Sequence, residues 1–341
     1  MHAPFESLVG GHPLFRETVE MRSRWIVVLA VPLLLPAAAG AQVANMPQEV
    51  RERLAEVGPV WGEDISGNIE RTLEVYTPIL EAAPKEGVDV TRDLSYGPDP
   101  RHLLDIYRPE GVANAPIVVY VHGGAYVRGD RNANAEVFAN VATYFARQGM
   151  VGVNTTYRLA PDAQWPAAAE DLGRLVQWLK VHGSEYGGDG ERIYLIGLSA
   201  GATHVATYTL MRDLHPASGP GISGVVLISG RYVIDPQPDD PNLENVQAYF
   251  GTDPAAYPER SPLTHVDDAP DIPTFVVIAE YDNPDLDTQG ALLFAALCER
   301  DRACPRIKRM ERHNHLSQVY QFNTVDDELG REILEFIRRG R

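Results

Sequence analysis

Cysteine is nearly absent: Cys298 and Cys304 are the only 2 in 341 residues. So few thiols exclude a disulfide-built mini-scaffold and are too few to hold a structural zinc ion. Positive charge is also short, with 30 Lys and Arg against 47 Asp and Glu, a formal net charge of -17. Such a balance argues against nucleic acid or an anionic lipid surface as a general partner. No self-similarity marks a solenoid or propeller, and no low-complexity tract is longer than a short Ala/Pro patch. What is present is hydrophobic residues at 44%, enough for one large core in a single domain.

The N-terminus reads as an address. From Met21 the chain runs MRSRWIVVLAVPLLLPAAAGAQ, with Arg22 and Arg24 before an apolar stretch and Ala39 and Ala41 in an A-x-A pattern after it. This is signal-peptide order, and the apolar part is shorter than the ~20 residues a membrane span needs. The expectation is a signal over 21–41, cleaved after Ala41, and an exported chain, periplasmic or extracellular, without stable membrane insertion. Residues 1–20 carry Glu6, Glu17 and Glu20, wrong for a signal, so they read as an upstream extension with Met21 the true start. Export bears on the cysteines. In LCERDRAC, at a helix-to-loop junction, Cys298 and Cys304 either close a small disulfide or remain two buried thiols.

After cleavage, residues 42–90 show two helical periodicities, PQEVRERLAEVG and SGNIERTLEVYTPILEAAP, broken between Gly58 and Gly67. From 91 to 341 strands and helices alternate. HLLDIYRP, PIVVYVHGG, MVGVNTTYRLA, RIYLIGLS, GVVLIS, TFVVIAE and RIKRMER read as strands. NAEVFANVATYFARQG, PAAAEDLGRLVQWLKVHG, Ala200 to about Leu214, TQGALLFAALCER and DELGREILEFIRR read as helices. Strands rich in β-branched residues separated by helices predict an α/β fold: a mostly parallel sheet covered on both faces, with ligands beyond the strands' carboxyl ends. One connection, about 231–272, is rich in Pro, Asp and Tyr with no strand pattern, and a connection of that length predicts a lid or binding insert.

Gly197-Leu198-Ser199-Ala200-Gly201 follows an apolar strand and precedes a helix. G-x-S-x-G in that context puts a serine on a strained strand-to-helix turn, exposing Ser199 as a nucleophile beside the helix N-terminus, where the amide of Ala200 can meet an oxyanion. His122-Gly123-Gly124 follows another strand; its side-chain-free amides, Gly123 and Gly124, complete the oxyanion hole. A serine needs a base and the base an acid, expected in the order Ser, Asp or Glu, His. Asp282, nearest the end of TFVVIAEYD, is the preferred acid over Asp285 and Asp287, with Glu280 the weaker alternative. In RMERHNHLSQ the base is His315, farther out on the loop, or else His313. His204 reads as a packed helix residue, and Tyr126, Tyr157, Trp165, Tyr232 and Tyr249 as pocket or core aromatics. No metal or organic cofactor is called for, and oligomeric state is not readable.

HGGAYVRGD, YRLAPDAQWPAAAEDLGRLVQWL, GGDGERIYLIGLSAGA and the late Asp and His resemble the hormone-sensitive-lipase-like and BD-FAE-like branches of the α/β-hydrolase superfamily. The resemblance runs from about Asp105 to the C-terminus. It implies an α/β-hydrolase fold, a helical cap built from the leading helices and the insert, and a carboxylesterase acting on small to medium acyl esters through an acyl-enzyme. Ala125 stands where many lipase-like members have a third glycine, and HNHLSQ is similar to esterase and formamidase-like relatives. An arylformamidase or amidase with the same triad, or a non-catalytic binding relative, are the alternatives.

Overall fold

A computed structural model describes residues 45–340. The expected signal over 21–41 and the extension over 1–20 lie outside the described residues. Among the described residues no helix is long and apolar enough to cross a membrane.

Eight strands form one sheet: β1 (Val88–Ser95), β2 (Leu103–Pro109), β3 (Ala115–Val121), β4 (Val151–Thr155), β5 (Gly188–Leu198), β6 (Gly224–Ile228), β7 (Thr274–Tyr281) and β8 (Arg306–Asn314). Their order is β1-β2-β4-β3-β5-β6-β7-β8. β2 pairs antiparallel with β1 and β4, and every pair from β4 to β8 is parallel. The central strands are continuous apolar runs because both faces are covered; β6, GVVLI, is buried throughout. Alternate residues feed opposite cores. Val119, Val121 and Leu195 pack on one side, while Val118, Tyr120 and Ile196 pack on the other. Each such buried aliphatic contributes ~1.5–3 kcal/mol relative to exposure, which makes this alternation the main determinant of register.

One face carries α4 (Ala167–His182), α5 (Ala200–Leu210) and α8 (Leu286–Asp301); the other carries α3 (Ala139–Arg147) and α10 (Glu328–Arg339). Every residue of α5 is buried, and its small Ala, Gly and Thr side chains let it lie close to the strands. Two helices precede the sheet, α1 (Gln48–Val57) and α2 (Ile65–Glu81), joined by a 3-10 turn over Gly58–Glu63. Asp64 caps α2 by accepting from the amide of Gly67 at 3.0 Å. The insert holds α6 (Leu243–Phe250), α7 (Tyr257–Arg260) and 3-10 turns, with no strand among its described residues. Cys298 in α8 and Cys304 beyond it form a disulfide.

Three elements depart from the sequence expectation. β1 is not among the expected strands, and its first residues fall inside the 42–90 segment expected to hold the leading helices. The helix expected from Asn134 begins at Ala139, because the Asn134 side chain accepts from the amides of Glu136 and Val137 at 2.9 and 2.8 Å and Phe138 has a φ of 78°. β8 runs on to Asn314, so His313 is a strand residue rather than a loop residue.

The chain lays down β4 on one side of β3 and then returns to place β5 on the other. The connections after β3 and β5 therefore diverge at their carboxyl ends, opening the crevice where ligands bind in sheets of this kind. β5 delivers Ser199 to that crevice and β3 delivers His122 to Gly124.

Candidate active site

Ser199 sits between β5 and α5 with φ 55° and ψ -122°, a conformation that disfavours any residue with a Cβ. Two bonds hold it there: its amide donates to the Ile228 carbonyl at 2.8 Å, and its carbonyl accepts from the Thr203 amide at 3.1 Å. The glycines of the motif make the bend possible. A Cβ at Gly201 would lie 2.3 Å from the Val121 carbonyl oxygen and 2.5 Å from that of His122, so only glycine lets α5 start this close to β3.

The loop after β3 faces the same bend. Gly124 has φ 132°, and a Cβ there would strike the Arg128 carbonyl. Its own carbonyl accepts from the amides of Val127 and Arg128, which turns the loop back on itself. Among the described residues the amides of Gly123 and Gly124 donate to no other backbone carbonyl. The Ala200 amide is in the first turn of α5, where helical amides have no partner of their own. Three amides thus stand free beside one hydroxyl, at a helix N-terminus that favours negative charge.

Asp282 follows β7 and His315 follows β8. His315 Nδ1 donates to Asp282 Oδ1 at 2.6 Å, which fixes the neutral tautomer and leaves Nε2 as an acceptor. The carboxylate also accepts from the Asn283 amide at 2.9 Å, the Ala279 amide at 3.1 Å and the Ser229 hydroxyl at 2.5 Å. Gln318 Nε2 in turn donates to Ser229 Oγ at 2.8 Å and to the His315 carbonyl at 3.2 Å. The imidazole and carboxylate side chains are 5% and 3% exposed, so their bond is sheltered from competing water. No hydrogen bond joins the Ser199 hydroxyl to either nearby histidine among the described residues, a spacing that substrate binding commonly closes.

The alternatives fall elsewhere. His313 is fully buried, with Nδ1 3.0 Å from the Ser317 hydroxyl and Nε2 3.3 Å from Asp326. Glu280 accepts from the Arg312 amide at 2.6 Å, and Asp285 and Asp287 lie exposed at the start of α8. His204 is buried with neither ring nitrogen hydrogen-bonded. Burial, followed by the nearby His122, lowers its pKa to about 3. Burial likewise lowers His122 to about 4, and its ring stacks on Tyr157 at 4.5 Å. Both are neutral structural groups near neutrality. Of the five singled-out aromatics, Tyr126 lines the cavity; Tyr157, Tyr232 and Tyr249 belong to the core, with Trp165 packed against it.

The cavity, about 250 Å³, is lined by Ser199, Ala200, Gly123, Gly124 and His315. Ile65, Ile69 and Leu73 of α2 form an apolar wall, and the insert contributes Arg231 and Asp240, an ion pair at 2.6 Å. Ala125, Tyr126, Phe138 and Ser199 all line it and all have positive φ, at 49°, 71°, 78° and 55°. Such concentrated strain is found where surrounding structure over-determines a working geometry. Sequence reasoning missed Ser229 and Gln318 behind the carboxylate, and Trp61 and Asn283 beside it. A signal for Trp61 did exist, a large aromatic inside the break between the leading helices.

A mostly parallel sheet with a strained serine at the bend after β5, at the switch point, and an aspartate and a histidine after its last two strands has the architecture of the α/β-hydrolase fold. Residues 104–215 match the family model BD-FAE. The chain is 33% identical over 150 residues to Esterase LipC of Mycobacterium tuberculosis, covering 41% of this chain and 36% of that protein. It is 30% identical over 213 residues to the probable carboxylic ester hydrolase LipM of the same organism, covering 54% and 46%. The chain thus spans less than half the length of these two relatives. Among solved structures, esterase B from Lactobacillus rhamnosis superposes with a TM-score of 0.67 at 19% identity, over 86% of this chain and 96% of that one. A hyperthermophilic esterase from the archaeon Pyrobaculum calidifontis gives 0.65 at 23%, over 86% and 98%. At these identities the superpositions show the fold. Sequence and fold together make this an α/β-hydrolase-fold chain similar to hormone-sensitive-lipase-like and BD-FAE-like carboxylesterases.

Proposed function

We propose that the chain is an exported serine carboxylesterase. The observation that carries the reading is the Asp282–His315 bond opening on the same cavity as the strained Ser199 and the free amides of Gly123, Gly124 and Ala200. Ser199 Oγ attacks the ester carbonyl carbon while its proton passes to His315 Nε2. The carbonyl oxygen takes the negative charge, held by the three amides. The alcohol leaves with the proton from His315, giving an acyl-Ser199 ester. Water, deprotonated by the same nitrogen, attacks that ester; the acid departs and the proton returns to Ser199. Asp282 stays ionised and stabilises the imidazolium in both halves.

A cavity of about 250 Å³ is at the small end of ligand sites, which supports small to medium acyl groups. Nitrophenyl esters from acetate to laurate, assayed beside formanilide, test this. Turnover highest at short to medium chains, with formanilide far slower, is expected. Preferential turnover of formanilide would support an arylformamidase instead, and no turnover of any substrate by folded protein would favour a binding protein. The leader pattern over 21–41 and the Cys298–Cys304 disulfide support export to an oxidising compartment. A mature protein whose first residue is Gln42 is the expected result of N-terminal sequencing, and retention of residues 21–41 in the cytoplasm would contradict export.

A further inference from the structure

The segment before the sheet carries three buried residues that a merely covering helix does not need. Trp61, Asn68 and Thr72 are 1%, 1% and 0% exposed. Asn68 and Thr72 are polar, one helical turn apart on α2, and face inward. A buried polar side chain in such a position persists when its hydrogen bonds do something an apolar residue would not.

Their bonds lead to the two residues flanking the acid and the base. Trp61 Nε1 donates to Asn283 Oδ1 at 2.8 Å. The amide of Asn283 donates at 2.9 Å to Asp282 Oδ1, the oxygen that accepts from His315. On the other side, Asn314 Nδ2 donates to Thr72 Oγ1 at 3.0 Å. The Asn314 carboxamide oxygen also accepts from the amides of Leu316 and Ser317 at 3.1 and 2.9 Å. Within the segment, Thr72 Oγ1 donates to the Asn68 carbonyl at 2.7 Å, and Asn68 Nδ2 donates to the Trp61 carbonyl at 3.3 Å. The hydrogen bonds run Asn314, Thr72, Asn68, Trp61, Asn283, Asp282 and His315, and the peptide bond between Asn314 and His315 closes the circuit. The indole also stands 6.4 Å from the imidazole, ring centre to ring centre.

We propose that Trp61 and Thr72 are positioning residues, by which the leading segment holds Asn283, just after the acid, and Asn314, just before the base, so that the Asp282–His315 bond forms. The inference rests on the triad assigned under the proposed function. β7 and β8 pair up to Tyr281 and Asn314, and the His315 amide donates to the Tyr281 carbonyl at 3.0 Å, so the ladder sets the backbone up to the acid and the base but leaves the turns at Asn283 and after Asn314 free to shift the two side chains. A tie from a third element to each loop removes that freedom, as the groups supporting an active site must. The same α2 supplies Ile65, Ile69 and Leu73 to the cavity, so substrate wall and positioning tie are one helix.

The test compares Trp61→Phe, which keeps a ring and removes the donor, with Thr72→Val, which keeps the shape and removes the oxygen, and Thr72→Ser, which restores it. Three readouts are taken: kcat and KM on a nitrophenyl ester per titrated active site, melting temperature, and the low-field proton resonance of the His315 Nδ1–H bond. The expected result is a kcat lowered roughly three- to ten-fold in Trp61→Phe, which loses a donor, and in Thr72→Val, which loses an acceptor, the rate equivalent of one net hydrogen bond. KM should be nearly unchanged, the proton resonance should move upfield or broaden, and Thr72→Ser should recover both. Because both ties act on one bond, the double variant should lose less than the product of the single losses. Lower melting temperatures with unchanged kcat and an unchanged resonance would overturn the proposal and leave a structural role. A wild type that turns over no ester counts against the proposed function; the proton resonance then decides the positioning role by itself.

Discussion

Replacing Gly123 by alanine separates chemistry from folding more cleanly than removing a member of the proposed triad. A methyl there would lie 3.0 Å from Ser199 Cβ and 3.1 Å from the Leu198 carbonyl oxygen. These contacts are tight by a few tenths of an ångström, and the φ of Gly123 is not in the left-handed region. The stability cost is therefore that of mild overpacking, ~1–3 kcal/mol, and the melting temperature should fall by only several degrees. The cost to catalysis is larger. The methyl would also stand 3.7 Å from Ser199 Oγ, while a reacting carbonyl carbon must approach that atom to ~3–3.5 Å. It therefore occupies the space of the substrate carbonyl and pushes the oxyanion off the loop amides. Loss of one such donor costs about 10²–10³-fold, or ~2.7–4 kcal/mol. Steady-state kcat/KM on nitrophenyl butyrate beside a thermal melt reads both effects. A drop of about two orders of magnitude or more in a folded variant is expected. A kcat/KM within threefold of wild type would show that this loop does not face the reacting oxygen, and the assigned hole would be wrong.

His313 within β8 and His315 just after it should respond in opposite ways: His315→Gln should lower kcat about 10⁴–10⁶-fold, whereas His313→Gln should stay within about threefold and instead lower stability by about 1–3 kcal/mol through a disturbed buried pair. Steady-state kinetics and melting of the two variants decide this, and the reverse pattern would exchange their roles. Acid should destabilise the fold through His122 and His204. Their folded-state pKa values, about 4 and about 3, lie below the ordinary 6.5, so the unfolded chain binds protons that the folded one does not. Stability is fully present above about pH 6.5 and falls as pH drops toward 4, by roughly 1.4 kcal/mol per pH unit for each histidine. Equal urea-unfolding free energies at pH 7 and pH 5 would contradict this. Reduction of the disulfide, or the double variant Cys298→Ser with Cys304→Ser, should cost about 2 kcal/mol for so short a loop. It should leave kcat unchanged, since neither sulfur lines the cavity; a melt unaffected by reductant would show that the bridge does not contribute.

The parts of the fold legible from sequence were those where one physical signal dominated. β3, β6, the second half of β5 from Ile193 and the first half of β7 are apolar runs covered on both faces, and the bend at Ser199 is bracketed by glycines that contacts below 3 Å require. β1 was not legible. Its half-buried residues, Val88, Thr91 and Leu94, recur every third position rather than every second, and an irregularity between Thr91 and Leu94, with Asp93 at φ 57°, shifts the register further on. The start of α3 was obscured because Asn134, inside a helical pattern, ties up the first amides itself. At the site, the order of Ser, Asp and His along the chain pointed to the loops where the structure places Ser199, Asp282 and His315. The supporting residues were hidden for a different reason. Ser229 and Gln318 are 89 positions apart in the chain, and Trp61 and Asn283 are 222 apart, so no spacing rule connects them. The trace that local reading could use was Asn68 and Thr72, polar residues one turn apart on a helix whose neighbours are apolar.

The proposed chemistry requires that the bond from His315 to Asp282 make Ser199 nucleophilic. Treating the folded protein with a fluorophosphonate and sequencing the labelled peptide by mass spectrometry tests it directly. One phosphonyl group per chain, located on Ser199, is expected, with labelling slowed by orders of magnitude in His315→Gln. A folded chain that stays unlabelled, or carries the group on another serine, would contradict it.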